Sequence, residues 1–153
     1  MNLLLWRHAE AEILRPGQDD LDRELTSKGQ RQARRMAEWL DERLPASARI
    51  LVSPAARTQQ TVAPLGRRFK TVDALAPERS ADELLAAVGW PEASDTVLIV
   101  GHQPTLGIAA ARLLSGADQA WSIKKGAVWW LERRDRDGVV EVTLLAVQGP
   151  GRQ

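Results

Sequence analysis

The stretch Asn2-Leu3-Leu4-Leu5-Trp6-Arg7-His8 decides how the rest of the chain is read. From Asn2 to Trp6 it is a short continuous apolar strand, of the kind buried on both faces of a parallel sheet. It runs directly into a guanidinium and an imidazole. Two further segments share this design. Arg49 to Val52 is a strand followed by Ser53-Pro54, with Arg57 in the first turn beyond, and Thr96 to Val100 is a strand followed by Gly101-His102. In parallel α/β sheets ligands bind beyond the carboxyl ends of the strands. The 2 histidines of the chain are therefore expected at one edge, together with Arg7 and Arg57.

Helical patterns fill the spaces between these strands. Ala33, Met36, Ala37, Leu40 and Leu44 repeat at helical spacing behind a Thr26 N-cap, which predicts a helix over Ser27–Leu44 closed by Pro45. Pro54 suits the first position of a second helix, with Thr58, Val62, Leu65 and Phe69 on one face. Pro64 predicts a kink or an end near Ala63. Thr71–Leu75 reads as a third strand. Ser80 and Glu83 form a capping-box pattern ahead of Leu84, Leu85 and Val88, and Gly89 closes that helix. Pro104 opens a helix through Leu114, stopped by Ser115-Gly116. Ala127–Leu131 and Val139–Val147 read as strands about Asp137-Gly138, a hairpin signal. The expected fold is a three-layer α/β/α domain over residues 1–153, with a mostly parallel central sheet and antiparallel edge strands.

The composition narrows the function. A length of 153 residues with 44% hydrophobic and 27% charged residues is ordinary for one globular domain. Lys and Arg number 21 against 20 Asp and Glu, which leaves no net field to attract nucleic acid or an acidic membrane. The pairs Arg34-Arg35, Arg67-Arg68 and Arg133-Arg134 are interleaved with acids and read as solvated surface. The tryptophans read as packing groups rather than base-stacking platforms. Cysteine is absent, which excludes disulfides, a thiolate nucleophile and thiolate metal sites. No export signal and no apolar run of about 20 residues is present, so the expected location is the cytoplasm, with no membrane partner. The sequence specifies no oligomeric state.

Two imidazoles and two guanidiniums at one edge suit a phosphoryl group. Arginine offers planar bidentate donors to phosphate oxygens, and a helix N-terminus near Pro54 adds backbone N–H groups. A neutral imidazole is a competent nucleophile near pH 7, and a second one can donate to a phosphoryl oxygen. Glu10 and Glu12 beside two histidines raise the possibility of a metal site, but Arg7 and Arg57 would repel a cation. The expectation is no metal and no cofactor. Arg23 is open to two readings, a reach toward the phosphate or a solvated loop charge.

The motifs resemble a known family. Leu5-Trp6-Arg7-His8-Ala9-Glu10 is similar to the Arg-His-Gly motif of the histidine phosphatase superfamily. Leu25-Thr26-Ser27-Lys28-Gly29 is similar to its Leu-Thr-x-x-Gly segment, Ser53-Pro54-Ala55-Ala56-Arg57 with Thr61 to its Ser-Pro-x-x-Arg-x-x-x-Thr segment, and Val100-Gly101-His102 to its late histidine. The resemblance runs from Met1 to about Leu114, in the family's order. It implies that His8 is the nucleophile and that Arg7, Arg57 and His102 form the phosphate pocket. Ser53 and Glu10, from the same motifs, join them as expected substrate contacts. Glu78 is the nearest positional match to the family's proton donor, and Glu10 is another carboxylate close to His8. Ala9 stands where the family usually has Gly, which is tolerable if its φ is negative.

Only 17 residues separate Glu78 from Thr96, too few for the larger helical cap of mutase-like members. An uncapped, open groove holds a small sugar phosphate poorly but admits a phosphorylated side chain. The chain therefore resembles the short SixA-type phosphohistidine phosphatases. The implied partner is a phosphohistidine-bearing carrier or phosphotransfer protein. The alternatives are a phosphatase for small phosphate esters or nucleotides, and a non-catalytic phosphate-binding module.

Overall fold

The structure is a computed structural model that describes residues 1–151. Its centre is one six-stranded sheet of order β3-β2-β4-β1-β5-β6. The strands are β1 (Asn2–Arg7), β2 (Arg49–Val52), β3 (Lys70–Thr71), β4 (Thr96–Gly101), β5 (Val128–Arg136) and β6 (Val139–Gln148). The first four run parallel, while β5 pairs antiparallel with β1 and β6 with β5. Helices α1 (Ser27–Asp41), α2 (Ala56–Val62), α3 (Ala81–Val88) and α4 (Thr105–Ser115) cover the two faces. This is the expected α/β/α architecture, and among the described residues no helical cap stands apart from it.

The alternation of side chains along β1 and β4 builds the two halves of the core. Leu3, Leu5, Val97 and Ile99 pack with Leu84, Leu106 and Ala109 on the α3–α4 side. Leu4, Trp6, Leu98 and Val100 pack with Met36, Leu40 and Val62 on the α1–α2 side. All eight strand residues are no more than 1% exposed. Burying a side chain of this size stabilises by about 1.5–3 kcal/mol, so the two central strands are the firmest part of the fold. The functional loops leave from their ends.

Local chemistry sets the helix boundaries. Thr26 Oγ1 accepts from Gly29 N at 2.9 Å, as an N-cap does. The helix stops at Asp41, earlier than Leu44, and Arg67 satisfies the freed carbonyls of Asp41, Leu44 and Pro45. The second helix opens at Ala56, two residues after Pro54, because Ser53 Oγ accepts the Ala55 N–H and holds the chain out of the helix. It ends at Val62, and Pro64 lies in a 3-10 turn closed by left-handed Gly66. Phe69 leaves the apolar face and is exposed. The Ser80–Glu83 capping box and left-handed Gly89 bound α3 as expected.

The third strand is shorter than the sequence suggests. Only Lys70 and Thr71 pair with β2. Asp73–Leu75 form a 3-10 turn that carries Leu75 into the α3–α4 core. At the other edge, Asp137 and Gly138 both take positive φ, 52° and 79°, as the tight hairpin turn requires.

Candidate active site

The parallel register brings the candidate residues to one level. Arg7 pairs with Gly101, and Val52 and Trp6 both pair with Val100. His8, Ser53 and His102 therefore leave three adjacent strands one step beyond matched rungs. His8 N donates to Gly101 O at 3.2 Å and Ser53 N to Val100 O at 3.1 Å, which locks the three exits together. The two imidazole centroids lie 5.4 Å apart with the rings tilted by 53°. His8, His102 and Arg57 are buried, at 7%, 5% and 3% exposure.

Hydrogen bonding fixes the roles of the ring nitrogens. His8 Nδ1 lies 2.7 Å from Ala9 O. A carbonyl only accepts, so Nδ1 carries the proton and the lone pair sits on Nε2. Ala9 is itself held by Thr61 Oγ1, which accepts from Ala9 N at 3.1 Å. Its φ is negative, since Glu78 and Asp137 are the positive-φ residues other than glycine among those described. The His8 loop thus needs no glycine at position 9.

His102 Nε2 lies 2.7 Å from Ser53 Oγ. That oxygen already accepts the Ala55 N–H, so its own hydrogen is free to point at Nε2. Neutral His102 then carries its proton on Nδ1, a buried atom without a partner among the described residues. Ser53 is fully buried and meets the site through His102.

Burial and the neighbouring guanidiniums disfavour imidazolium at both rings. Burial, followed by the Arg57, Arg7 and Arg23 charges, pushes the His8 pKa down to about 4 against the Ala9 hydrogen bond. Burial and Arg57 push His102 down to about 3. Both rings are neutral at pH 7.

Arg57 is held by a residue that the sequence reading did not single out. Its Nη1 donates to Asp20 O at 2.8 Å and its Nη2 to Asp20 Oδ2 at 2.9 Å. Asp20 also pairs with Arg23 at 3.2 Å, so Arg23 belongs to the same cluster. Arg7 Nη1 donates to Ile123 O at 2.8 Å. The Nε atoms of Arg7 and Arg57 are buried without a partner among the described residues. An unmet buried donor costs roughly 1–3 kcal/mol, and an anion relieves that cost.

The two carboxylates lie differently. Glu10 faces the start of α1: its Oε1 accepts from Thr26 Oγ1 at 3.0 Å and Lys28 Nζ lies 3.9 Å from Oε2. Its main chain presses on Gly29, where a Cβ would meet Glu10 O at 2.0 Å. Glu78 is exposed in the loop before α3, with φ of 69°. Thr105 Oγ1 ties that loop to the start of α4 by donating to Arg79 O at 2.6 Å.

Comparison with known proteins gives the lineage of this arrangement. Residues 3–84 match the family model of the histidine phosphatase superfamily, branch 1. The chain is 35% identical over 123 residues to an uncharacterized protein of Picosynechococcus sp., covering 76% of this chain and 74% of that one. It is similar to the solved structure of a candidate SixA phosphohistidine phosphatase from Nakamurella multipartitia, with a TM-score of 0.76 and 31% identity over 97% and 95% of the two chains. It is also similar to the protein histidine phosphatase SixA complexed with tungstate, with a TM-score of 0.79 and 25% identity over 98% and 97%.

Proposed function

This chain belongs to the histidine phosphatase superfamily, branch 1, and is a phosphatase; on that premise we propose that it removes the phosphoryl group from phosphohistidine on a carrier or phosphotransfer protein. His8 is the nucleophile. Its Nε2 lone pair attacks phosphorus, the P–N bond to the substrate imidazole breaks, and the bonding pair leaves with that imidazole, which takes up a proton. Water then attacks the phosphorylated His8 and releases inorganic phosphate. Arg7, Arg57 and the Nδ1–H of His102 donate to the phosphoryl oxygens, whose charge such donors stabilise in transfer. Ser53 positions His102, and Glu10 holds the His8 loop against α1. Glu78 is the proposed proton donor for poorer leaving groups.

One observation carries the reading. A neutral imidazole with its Nδ1 proton tied to Ala9 O faces a second imidazole 5.4 Å away, beside a guanidinium whose buried Nε has no partner among the described residues. Two further points support phosphohistidine as the substrate. Between β3 and β4 the chain has one α-helix of 8 residues, so no capping subdomain is inserted there. Imidazole also leaves more readily than an alkoxide, so an exposed acid such as Glu78 suffices. The proposed setting is the cytoplasm; among the described residues no helix is long and apolar enough to cross a membrane.

The test compares turnover of a phosphohistidine carrier protein with a panel of free phosphate esters and nucleotides, and traps the intermediate with ³²P-labelled substrate. The expected result is preference for the phosphoprotein and an acid-labile label on the wild type that is absent from His8→Ala. Preference for small esters, or label retained by His8→Ala, overturns the reading.

A further inference from the structure

We propose that the cleft beside Arg7 is a docking subsite for carboxylates on the protein surface that flanks the phosphorylated side chain; this rests on the phosphoprotein reading above. The cleft has a volume of about 990 Å³ and lies where β1 ends, β5 begins and β6 ends. Arg7, Lys124 and Lys125 line it with Gln32, Trp129 and Gln148, and no Asp or Glu is among its described lining residues. That departs from the rest of the chain. Acids and bases are nearly equal in number, and Arg49, Arg57, Arg67, Arg79 and Arg112 each hold a carboxylate. Lys124 and Lys125 are exposed and belong to none of the ion pairs among the described residues.

The two lysines are presented on a tethered loop. Gly126 N donates to Arg7 O at 3.1 Å and to His8 O at 3.0 Å. Trp6 Nε1 donates to Gly126 O at 3.1 Å, and Arg7 Nη1 donates to Ile123 O at 2.8 Å. Gly126 adopts φ of 76° to make this turn. The loop is thus fastened to the nucleophile's own strand on both sides of Lys124 and Lys125. A partner with its phosphoryl group against His8 extends over this acid-free cleft, which is far larger than one phosphoryl group. Exposed lysines of fixed position attract carboxylates and are screened by salt. The partner that fits is an acidic protein surface around the phosphorylated residue.

The test uses two synthetic phosphohistidine peptides that differ only in Asp and Glu against Asn and Gln around the phosphorylated position. Two phosphoserine peptides with the same flanks and p-nitrophenyl phosphate complete the set. Wild type is expected to favour the acidic peptide of each pair by about five- to tenfold in kcat/KM at low salt, the scale of two exposed ion pairs, and to lose the preference at about 0.5 M salt. K124E/K125E is expected to abolish or invert the preference while p-nitrophenyl phosphate turnover stays unchanged, and K124Q/K125Q to abolish it. The same comparison of peptide Kd values reads the preference where turnover is slow. Equal handling of the two flanks, or a preference that survives in both lysine variants, overturns the docking subsite. Faster turnover of the phosphoserine pair overturns the phosphohistidine reading instead, because the flank effect is read within each pair.

Discussion

Asp20 grips Arg57 by the outer fork of its guanidinium, with main-chain and carboxylate oxygens 2.8 and 2.9 Å from the two terminal nitrogens. The buried Nε–H on the inner side is left without a partner among the described residues. This division ties the terminal nitrogens of Arg57 to the protein and leaves the Nε–H edge for the phosphoryl oxygen of the proposed reaction. An arginine without that grip keeps its charge but loses its aim, and misplacement by about 1 Å can cost roughly 10²-fold in rate. Asp20→Ala is therefore expected to lower kcat/KM by about 10²-fold. Asp20→Asn, which keeps an oxygen acceptor and the main-chain carbonyl, is expected to lose about tenfold. Steady-state kinetics with thermal melts separate this from unfolding. Tighter inhibition of Asp20→Ala by inorganic phosphate, with kcat/KM preserved, would show instead that the carboxylate competes with substrate.

The neutral histidines make the fold sensitive to acid. In the unfolded chain an imidazole takes up its proton near pH 6.5. In the fold His8 and His102 stay neutral down to about pH 4 and about pH 3. Between those limits the unfolded state binds more protons, so stability falls as pH drops from 7 to 5. Thermal melts at pH 7, 6 and 5 are expected to show a progressive fall in Tm that is shallower in the double variant His8→Asn/His102→Asn. An anion in the pocket reverses the effect by stabilising imidazolium. Tungstate binding at pH 6 is expected to take up protons, which calorimetry in two buffers of different ionisation enthalpy measures.

The sequence discloses what is local and leaves out what is remote. The continuous apolar run of Leu3 to Trp6, the Ser80–Glu83 box and Asp137-Gly138 each carry their structural cause within a few residues, and each forms as read. The exits of β1, β2 and β4 were legible for the same reason, since a polar group directly after an apolar strand marks the carboxyl edge. Thr71 to Leu75 misleads because Val72, Ala74 and Leu75, broken only by Asp73, fit a strand or a buried turn, and the seat for Leu75 is made by α3. The grip on Arg57 is invisible because Asp20 lies 37 positions away, in a loop whose composition signals only a turn. Its Asp20-x-x-Arg23 spacing becomes meaningful once the loop is seen to fold over α2.

Gly29 tests how the first helix supports the His8 loop. A Cβ there would sit 2.0 Å from Glu10 O, and Glu10 N donates to Gln32 Oε1 of the same helix at 3.0 Å. The loop of Ala9 and Glu10 is thus seated on bare backbone. Overpacking of this kind typically costs about 1–3 kcal/mol. Gly29→Ala is expected to lower Tm by several degrees and, by shifting the Ala9 carbonyl that holds His8 Nδ1, to lower kcat about tenfold. Gly149→Ala is the control, because nothing lies within 4 Å of its added Cβ; it is expected to leave both quantities unchanged.

Glu78 joins a conformational cost to a proposed chemical role. Its φ of 69° places an ordinary side chain in the left-handed region, which costs about 1–2 kcal/mol that glycine avoids. Such strain persists at functional positions more often than elsewhere. Glu78→Gly is therefore expected to raise stability by about 1 kcal/mol. A general acid is worth about 10²–10⁴ in rate where the leaving group needs a proton. An alkoxide needs one more than an imidazole does. Turnover of a phosphoserine peptide by Glu78→Gly and Glu78→Gln is expected to fall by about 10²-fold or more, while turnover of a phosphohistidine peptide changes by less than about threefold. Equal losses on both substrates would make Glu78 a positioning residue, and no loss on either would leave the carboxylate without a part in the chemistry.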